Sequence, residues 1–222
     1  MSVSVLILGE SGTGKSASLR NMNPEKTLLI QAIKKPLPFR SANWKQVIQG
    51  TQAGNVFVTD QFDRIITIMN KTQREIIIID DFQYVLANEF MRRSQETGFA
   101  KFTEIGRHAW EILTIASQLP DNKRVYILSH TESDQVGTTK CKTIGKMLDE
   151  KITVEGMFTI VLRTLVQDQQ YRFSTQNNGN DTVKSPMGMF SENLIENDLE
   201  SIDSVICEYY GIPKLNLVKE AS

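Results

Sequence analysis

Residues 3–16 read VSVLILGESGTGKS, and this stretch decides the fold that we expect for the chain. Its first part, residues 3–8, is a nearly continuous apolar run, typical of a strand that is buried on both faces of a parallel sheet. Its second part fits the pattern G-x-x-x-x-G-K-[ST], in which a glycine-rich turn joins a strand to a helix and binds phosphate groups. We therefore predict a strand, a phosphate loop at residues 9–16 and a helix from Lys15 to about Asn21.

Each residue type in the phosphate loop has a chemical purpose. The glycines let the backbone turn tightly, so that its N–H groups face phosphate oxygens, and the N-terminal end of the next helix adds positive charge. The Lys15 ammonium can reach the β- and γ-phosphates, and the Ser16 hydroxyl can bind Mg²⁺. The pattern thus predicts ATP and Mg²⁺ as ligands. The residues predicted to contact the nucleotide are Gly9, Glu10, Ser11, Gly12, Thr13, Gly14, Lys15 and Ser16.

A second apolar run, Ile76 to Ile79, ends in two acidic residues. An acid at the end of a buried strand beside a phosphate loop holds Mg²⁺. Because neighbouring side chains of a strand point in different directions, we assign the two acids different roles. Asp80 belongs to the metal site, through water, and Asp81 polarises the water that attacks the γ-phosphate. The alternative is that Asp81 only caps the following helix.

A third apolar run, residues 125–128, ends at Ser129 and His130. A polar side chain at this strand tip can donate a hydrogen bond to the γ-phosphate and so sense it. His130 is our candidate for this role, with Ser129 as the other, and a solvent-exposed histidine at a strand end is the structural alternative. We expect His108, which lies inside a helical pattern, to be structural.

The remaining patterns predict an α/β fold with a mostly parallel sheet, flanking helices and a late antiparallel β-hairpin. We expect one domain over residues 1–222, with an acidic helical segment at residues 191–222 that contains seven acidic and two basic side chains. The predicted strands are residues 27–30, 56–58, 157–165 and 169–175, the last two joined near Gln167 and Asp168. The predicted helices are residues 60–70 capped by Asp60, 99–118 and 192–210.

Composition excludes several classes of protein. Apolar residues make up 40% and charged residues 23% of the chain, values typical of a globular protein rather than a disordered or fibrous one. The net charge of −1 argues against binding nucleic acid by bulk attraction. The two cysteines do not form a zinc or disulfide pattern. No apolar run reaches the roughly 18 residues that span a bilayer, so we expect a cytoplasmic protein with no membrane partner.

With these motifs in order, the chain resembles RecA-type ATPase cores. More narrowly, it is similar to the phage-encoded AAA/RecA-like ATPases of single-strand annealing and recombination, a likeness that runs from residue 1 to about residue 210. The segments that carry it are residues 9–16, 76–82, 129–130, 142–148, 155–161 and 182–190. The resemblance implies ATP hydrolysis coupled to single-stranded DNA, a homo-oligomer, and the host cytoplasm as the location of a phage-encoded protein.

The resemblance also implies two further groups of residues. The segment after the sensing strand, about residues 131–146, contacts single-stranded DNA in RecA-like proteins. Here that segment has no regular pattern and contains Lys140, Lys142 and Lys146, although it lacks an aromatic residue for base stacking. Near the late hairpin, Arg172 and Lys184 loosely match basic residues that reach the nucleotide of a neighbouring subunit in trans.

Two departures from the family pattern leave alternatives open. The usual catalytic glutamate after the second strand is missing, because residues 31–34 read QAIK. Hydrolysis must then use Asp81, or it is slow or absent, which leaves a non-catalytic nucleotide switch as one alternative. The loop also starts at residue 9, so we expect assembly and DNA affinity to come from the core or from a partner such as a single-strand-binding protein. A P-loop phosphotransferase is the other alternative, although it needs an Arg-rich lid and the chain has one adjacent arginine pair, Arg92 and Arg93.

Overall fold

A mostly parallel sheet organises the computed structural model, which describes residues 1–48, 51, 53–134, 137–145 and 147–213. Its strands are β1 (Val3–Gly9), β2 (Thr27–Gln31), β3 (Val56–Val58), β4 (Ile76–Asp80), β5 (Arg124–Ser133), β6 (Thr139–Cys141), β7 (Ile160–Gln167), β8 (Gln170–Ser174) and β9 (Leu194–Glu196). Its α-helices are α1 (Phe62–Lys71), α2 (Gln83–Arg92), α3 (Ala100–Gln118) and α4 (Leu199–Tyr210). Short 3₁₀ helices span Ser16–Asn21 and Val154–Met157, and a π-helical turn spans Met147–Ile152.

The strand order within the described residues is β3-β2-β4-β5-β1-β7-β8-β9, with β6 paired to β5. The pairs from β3 to β7 are all parallel, whereas β8 and β9 add antiparallel strands at one edge. The α/β class, the mostly parallel sheet and the late hairpin are therefore confirmed. The turn between β7 and β8 has positive φ at Asp168 and Gln169, the backbone geometry of a two-residue hairpin turn.

The isoleucines of β4 explain why this strand is apolar on both faces. Ile77 and Ile79 pack in the core under α1, α2 and α3, while Ile76 and Ile78 pack in a second core with α4. All four side chains are at most 2% exposed. A strand covered on both faces needs no polar residue until it reaches the sheet edge, which is where Asp80 lies.

Four sequence predictions differ from the structure in extent, helix type or cap, where contacts between distant residues override local pattern. Two parts of the segment after residue 130 are regular, since β5 continues to Ser133 and pairs with β6. The last helix begins at Leu199 and is capped by Asp198, and β9 forms earlier by pairing with β8. The helix after the phosphate loop is a short 3₁₀ helix. The N-cap residue of α1 is Gln61 and not Asp60, because the Asp60 carboxylate accepts hydrogen bonds from the side chains of Asn88 and Arg92 instead.

Candidate functional site

The phosphate loop follows β1 at the carboxyl edge of the sheet, and its glycines are required by geometry. Gly12 and Gly14 have φ of 81° and 100°, a region that residues with a side chain rarely adopt. A Cβ added to Gly9 would overlap the Thr164 hydroxyl of β7 and lie 2.7 Å from the Thr13 Oγ1. These two threonine hydroxyls are themselves 2.7 Å apart, so they pin the loop to β7.

Lys15 lies at the mouth of this loop with its ammonium held by backbone. Its Nζ donates to the carbonyl oxygens of Gly9 and Glu10, each at 2.8 Å. Burial lowers the pKa of Lys15 to about 8, although the carboxylates of Asp81 and Asp80 oppose the shift. Most Lys15 side chains therefore stay charged at pH 7, and the charge faces the space that the loop encloses.

Asp80 meets the loop from the end of β4. The Ser16 hydroxyl donates to its Oδ1 and Oδ2 at 3.0 and 2.9 Å. Burial and then the charge of Asp81 raise the pKa of Asp80 to about 6, against the lowering effects of Lys35, Ser16 and Lys15. A hydroxyl and a carboxylate are hard oxygen ligands of the type that Mg²⁺ prefers. Among the described residues no group of three His, Cys, Asp or Glu side chains could hold a metal alone, so a cation here would take its other ligands from phosphate and water.

Asp81 occupies a left-handed backbone conformation, with φ of 60°. Its Oδ2 accepts a hydrogen bond from the Lys35 ammonium, and its Oδ1 lies 3.4 Å from His130 Nε2. Burial raises the pKa of Asp81, but the hydrogen bonds from His130 and Lys35 outweigh burial, so the pKa falls below its usual value. The carboxylate is therefore ionised at neutral pH and fixed between two donors.

A cavity of about 470 Å³, the phosphate cavity, is lined by residues of the phosphate loop, among them Lys15 and Ser16, and by Lys35, Asp81 and His130. Asp80 is buried behind Ser16 and does not line it. Tyr84 packs edge-on against the His130 ring, at 6.0 Å between centroids. Another cavity, of about 430 Å³, surrounds Arg74 at the opposite edge of the sheet. It contains none of the predicted site residues, so we place the site at the phosphate loop.

The structure brings together most of the predicted nucleotide-site residues. Parallel register aligns Gly9 with His130 on neighbouring strands. Ser129, the other candidate sensor, is fully buried and does not line the cavity. His108 is structural, as expected: it stacks on Phe62 and contacts Glu89 at 2.9 Å.

The predicted DNA-binding and trans-acting residues lie elsewhere. Lys140 lies on β6 opposite Glu132, and the exposed Lys142 follows β6, while Lys146 lies outside the described residues. Arg172 lies opposite Leu165 of β7 and lines a cavity beside the phosphate loop of its own chain. Lys184 is exposed, and its backbone pairs with Val161, four residues further back along β7. A role in a neighbouring subunit stays a prediction for both basic residues.

Sequence reasoning missed Lys35, Thr164 and Tyr171 as site residues. A signal existed for Lys35, because it follows β2, whose last residue Gln31 is in register with Asp80. Residues after neighbouring parallel strands meet at one sheet edge, so the lysine could have been placed near the acid pair. No local signal marks Thr164 or Tyr171, which reach the loop only through the pairing of β7 with β1 and β8.

No protein-family model matches this chain, and no curated protein sequence matches it. None of the helices in the described part of the chain is long and apolar enough to cross a membrane.

Proposed function

We propose that this chain is a Mg²⁺-dependent ATPase with a RecA-like P-loop core. The observation that carries the proposal is the contact of the Ser16 hydroxyl with both carboxylate oxygens of Asp80, 64 residues away in the chain. The hydroxyl and the carboxylate are oxygen ligands that suit Mg²⁺, and the Lys15 ammonium of the glycine-rich loop suits the phosphates. Together they match the groups that a Mg²⁺–triphosphate complex requires. A loop with only a structural role would not need a buried carboxylate beside it.

The site residues divide the work of hydrolysis. Backbone N–H groups of the phosphate loop and the Lys15 ammonium bind the phosphates and offset charge that develops in the transition state. Bound Mg²⁺ would neutralise charge on the phosphate oxygens and would be held by Ser16 and Asp80. Asp81 orients the attacking water and accepts its proton, while His130 holds the Asp81 carboxylate in place. Lys35 lines the same cavity beside Asp81 and supplies a second cation for the γ-phosphate.

We further propose that nucleotide state is coupled to single-stranded DNA, in recombination or annealing, through the hairpin of β5 and β6. His130 is part of β5 and lines the phosphate cavity. The backbone N–H of Lys142 donates to the His130 carbonyl at 2.9 Å. A shift of His130 on γ-phosphate binding would therefore move the Lys142 backbone directly, which supports the coupling.

One observation favours the second candidate, a nucleotide switch that binds ATP without hydrolysing it. Lys35 and His130 both engage Asp81 and lower its pKa, with burial opposing them. A carboxylate of lowered pKa is a weaker proton acceptor. Slow turnover is therefore expected unless Lys35 moves from Asp81 to the γ-phosphate when the nucleotide binds.

Phosphate release from Mg²⁺–ATP, measured with and without single-stranded DNA, tests the proposal. We expect turnover that DNA stimulates. Lys15→Ala should weaken ATP binding by about tenfold or more, because it removes a charge-assisted phosphate contact. Asp81→Asn should leave binding nearly intact and slow turnover, whereas Asp80→Asn should weaken Mg²⁺-dependent binding. ATP binding without turnover would support the switch, and unchanged ATP affinity in Lys15→Ala would refute the site.

Salt dependence of DNA binding tests the hairpin separately. Each lysine–phosphate contact adds roughly 0.7 to the slope of log affinity against log salt for a single strand. Changing Lys140 and Lys142 together to Ala should therefore flatten this slope by about 1.4 and leave ATP affinity unchanged. A control variant with Lys45 and Lys71 changed to Ala removes the same charge elsewhere. Equal slopes in both variants would exclude the hairpin, and the basic segment around Lys35 would then be tested.

A further inference from the structure

Asn197, directly after β9, is a buried side chain whose polar atoms lack partners. It is 2% exposed, and neither its Oδ1 nor its Nδ2 has a hydrogen-bond partner among the described residues. The amide lies against the phosphate loop, since a Cβ built on Gly14 would be 3.1 Å from Oδ1 and 3.2 Å from Nδ2. A buried amide without partners is costly and rare in a native protein. Its position therefore points to a partner that arrives with a ligand.

A second cavity, of about 620 Å³, is lined by Asn197 and adjoins the phosphate cavity. The two cavities share Ala17 and Tyr171 as lining residues. In this loop pattern the lysine, here Lys15, reaches the β- and γ-phosphates, so we place the α-phosphate towards Ala17 at the start of the next helix. The rest of a nucleotide would then continue past Ala17 into the second cavity.

We infer that this second cavity binds the nucleobase of the nucleotide, and that the Asn197 amide recognises adenine there. The inference rests on the proposed function, because it takes the phosphate loop as the triphosphate site. It adds a specificity-determining residue that no part of the phosphate-binding pattern contains. Tyr171, which is 50% exposed at the junction of the cavities, covers the nucleoside from the side of β8.

The chemistry of the cavity favours adenine over guanine. A carboxamide offers one donor and one acceptor side by side, and adenine offers the complement with its N6 amino group and N7. The same edge of guanine offers two acceptors, which suit an arginine. Here Arg20 already donates to the Asn197 backbone carbonyl and to Glu196 Oε1, and Arg172 donates to Gln170. Gln169 and Gln170 also line this cavity, but their carboxamides are exposed to water. The Asn197 amide differs from them because it is buried and has no hydrogen-bond partner among the described residues.

Calorimetry with three Mg²⁺-bound probes tests the inference: ATP, purine riboside triphosphate and inorganic tripolyphosphate. Asn197→Ala should weaken ATP binding by about 5- to 30-fold, the effect of one to two hydrogen bonds, and should leave tripolyphosphate affinity unchanged. Purine riboside triphosphate lacks the N6 amino group, so the wild-type protein should bind it more weakly than ATP. In Asn197→Ala that difference should disappear. Asn70→Ala, at an exposed asparagine of α1, is the matched control and should behave like the wild type.

Several results would overturn the inference. ATP affinity that is unchanged in Asn197→Ala would do so, as would an equal fall for ATP and tripolyphosphate, which would give Asn197 a role in supporting the loop. Wild-type protein that binds ATP and purine riboside triphosphate equally well would show that the amide does not contact the base. Wild-type protein that fails to bind tripolyphosphate or ATP would instead refute the proposed function itself. Thermal unfolding of ligand-free Asn197→Leu, which keeps the side-chain volume, makes the test independent of folding. This variant should unfold at no lower temperature than the wild type, because it removes two buried polar atoms that have no partners among the described residues. A marked drop without loss of ATP affinity would contradict the assignment.

Discussion

Asp80 is the residue whose substitution we expect to change stability and function in opposite directions. Burial, and next the charge of Asp81, raise the pKa of Asp80 from 3.8 to about 6. Because one pKa unit corresponds to about 1.4 kcal/mol, an ionised Asp80 lowers the free energy of unfolding by about 3 kcal/mol at pH 7. Asp80→Asn keeps the shape and an acceptor for the Ser16 hydroxyl and removes the charge. We therefore expect the ligand-free variant to be more stable than the wild type by up to about 3 kcal/mol.

The pH dependence of this difference has a definite sign. The folded pKa of Asp80 lies above the unfolded value, so the destabilisation is full above about pH 6 and fades as the pH falls towards 3.8. Asp81 behaves in the opposite way, because its folded pKa is lowered. Its contribution to stability is present above the unfolded pKa and is lost as the pH falls through the folded pKa. Asp81→Asn is thus the matched control, and we expect it to be less stable than the wild type at pH 7.

Urea unfolding of the wild type and of the two variants between pH 4 and pH 7 measures these differences. For a chain of this size, each kcal/mol shifts the unfolding temperature by about 2–4 °C, so Asp80→Asn should also unfold at a higher temperature at pH 7. Adding Mg²⁺–ATP should stabilise the wild type and have little effect on Asp80→Asn. If Asp80→Asn were less stable than the wild type at pH 7, or if their difference did not change with pH, the reasoning about the buried carboxylate would be refuted.

Three further substitutions test other contacts. Gly9→Ala should destabilise the fold by about 1–3 kcal/mol in urea unfolding, because the new methyl group overlaps the Thr164 hydroxyl; Thr164→Ala in the same chain should restore part of the loss, and no rescue would refute the overlap. Asp203→Asn should reduce the free energy of unfolding in urea by about 3–5 kcal/mol, because the buried Asp203 carboxylate accepts two hydrogen bonds, of 2.9 and 3.0 Å, from the buried Arg124. A loss below about 1 kcal/mol would contradict this. Lys35→Ala should weaken ATP binding more than ADP binding, since Lys35 lines the phosphate cavity beside Asp81 and is proposed to meet the γ-phosphate. Calorimetry that finds equal losses of affinity for ATP and ADP would place Lys35 away from the γ-phosphate.

The location of the glycine-rich loop and of the acid pair at one edge of the sheet could be predicted, because each follows an apolar strand directly in the sequence. A glycine-rich turn after an apolar run needs no distant information, and the same holds for the acids that end β4. His130 was predictable for a related reason, because parallel strands place their carboxyl ends at one sheet edge. The hairpin of β5 and β6 could not be predicted, since its polar residues form strands only by pairing with each other.

The amino-acid sequence by itself determined the α/β class, the places of the buried strands along the chain and the glycine-rich turn after β1, because burial on both faces of a parallel strand and a tight turn impose local patterns of residues. Only the tertiary structure decided that Lys35 engages Asp81, that Thr164 pins the loop, and that the Asn197 amide lies against Gly14 with no hydrogen-bond partner in the described part of the chain. These contacts join residues far apart in the chain. No local pattern encodes them, because they follow from which strands are neighbours in the sheet and from the register in which those strands pair.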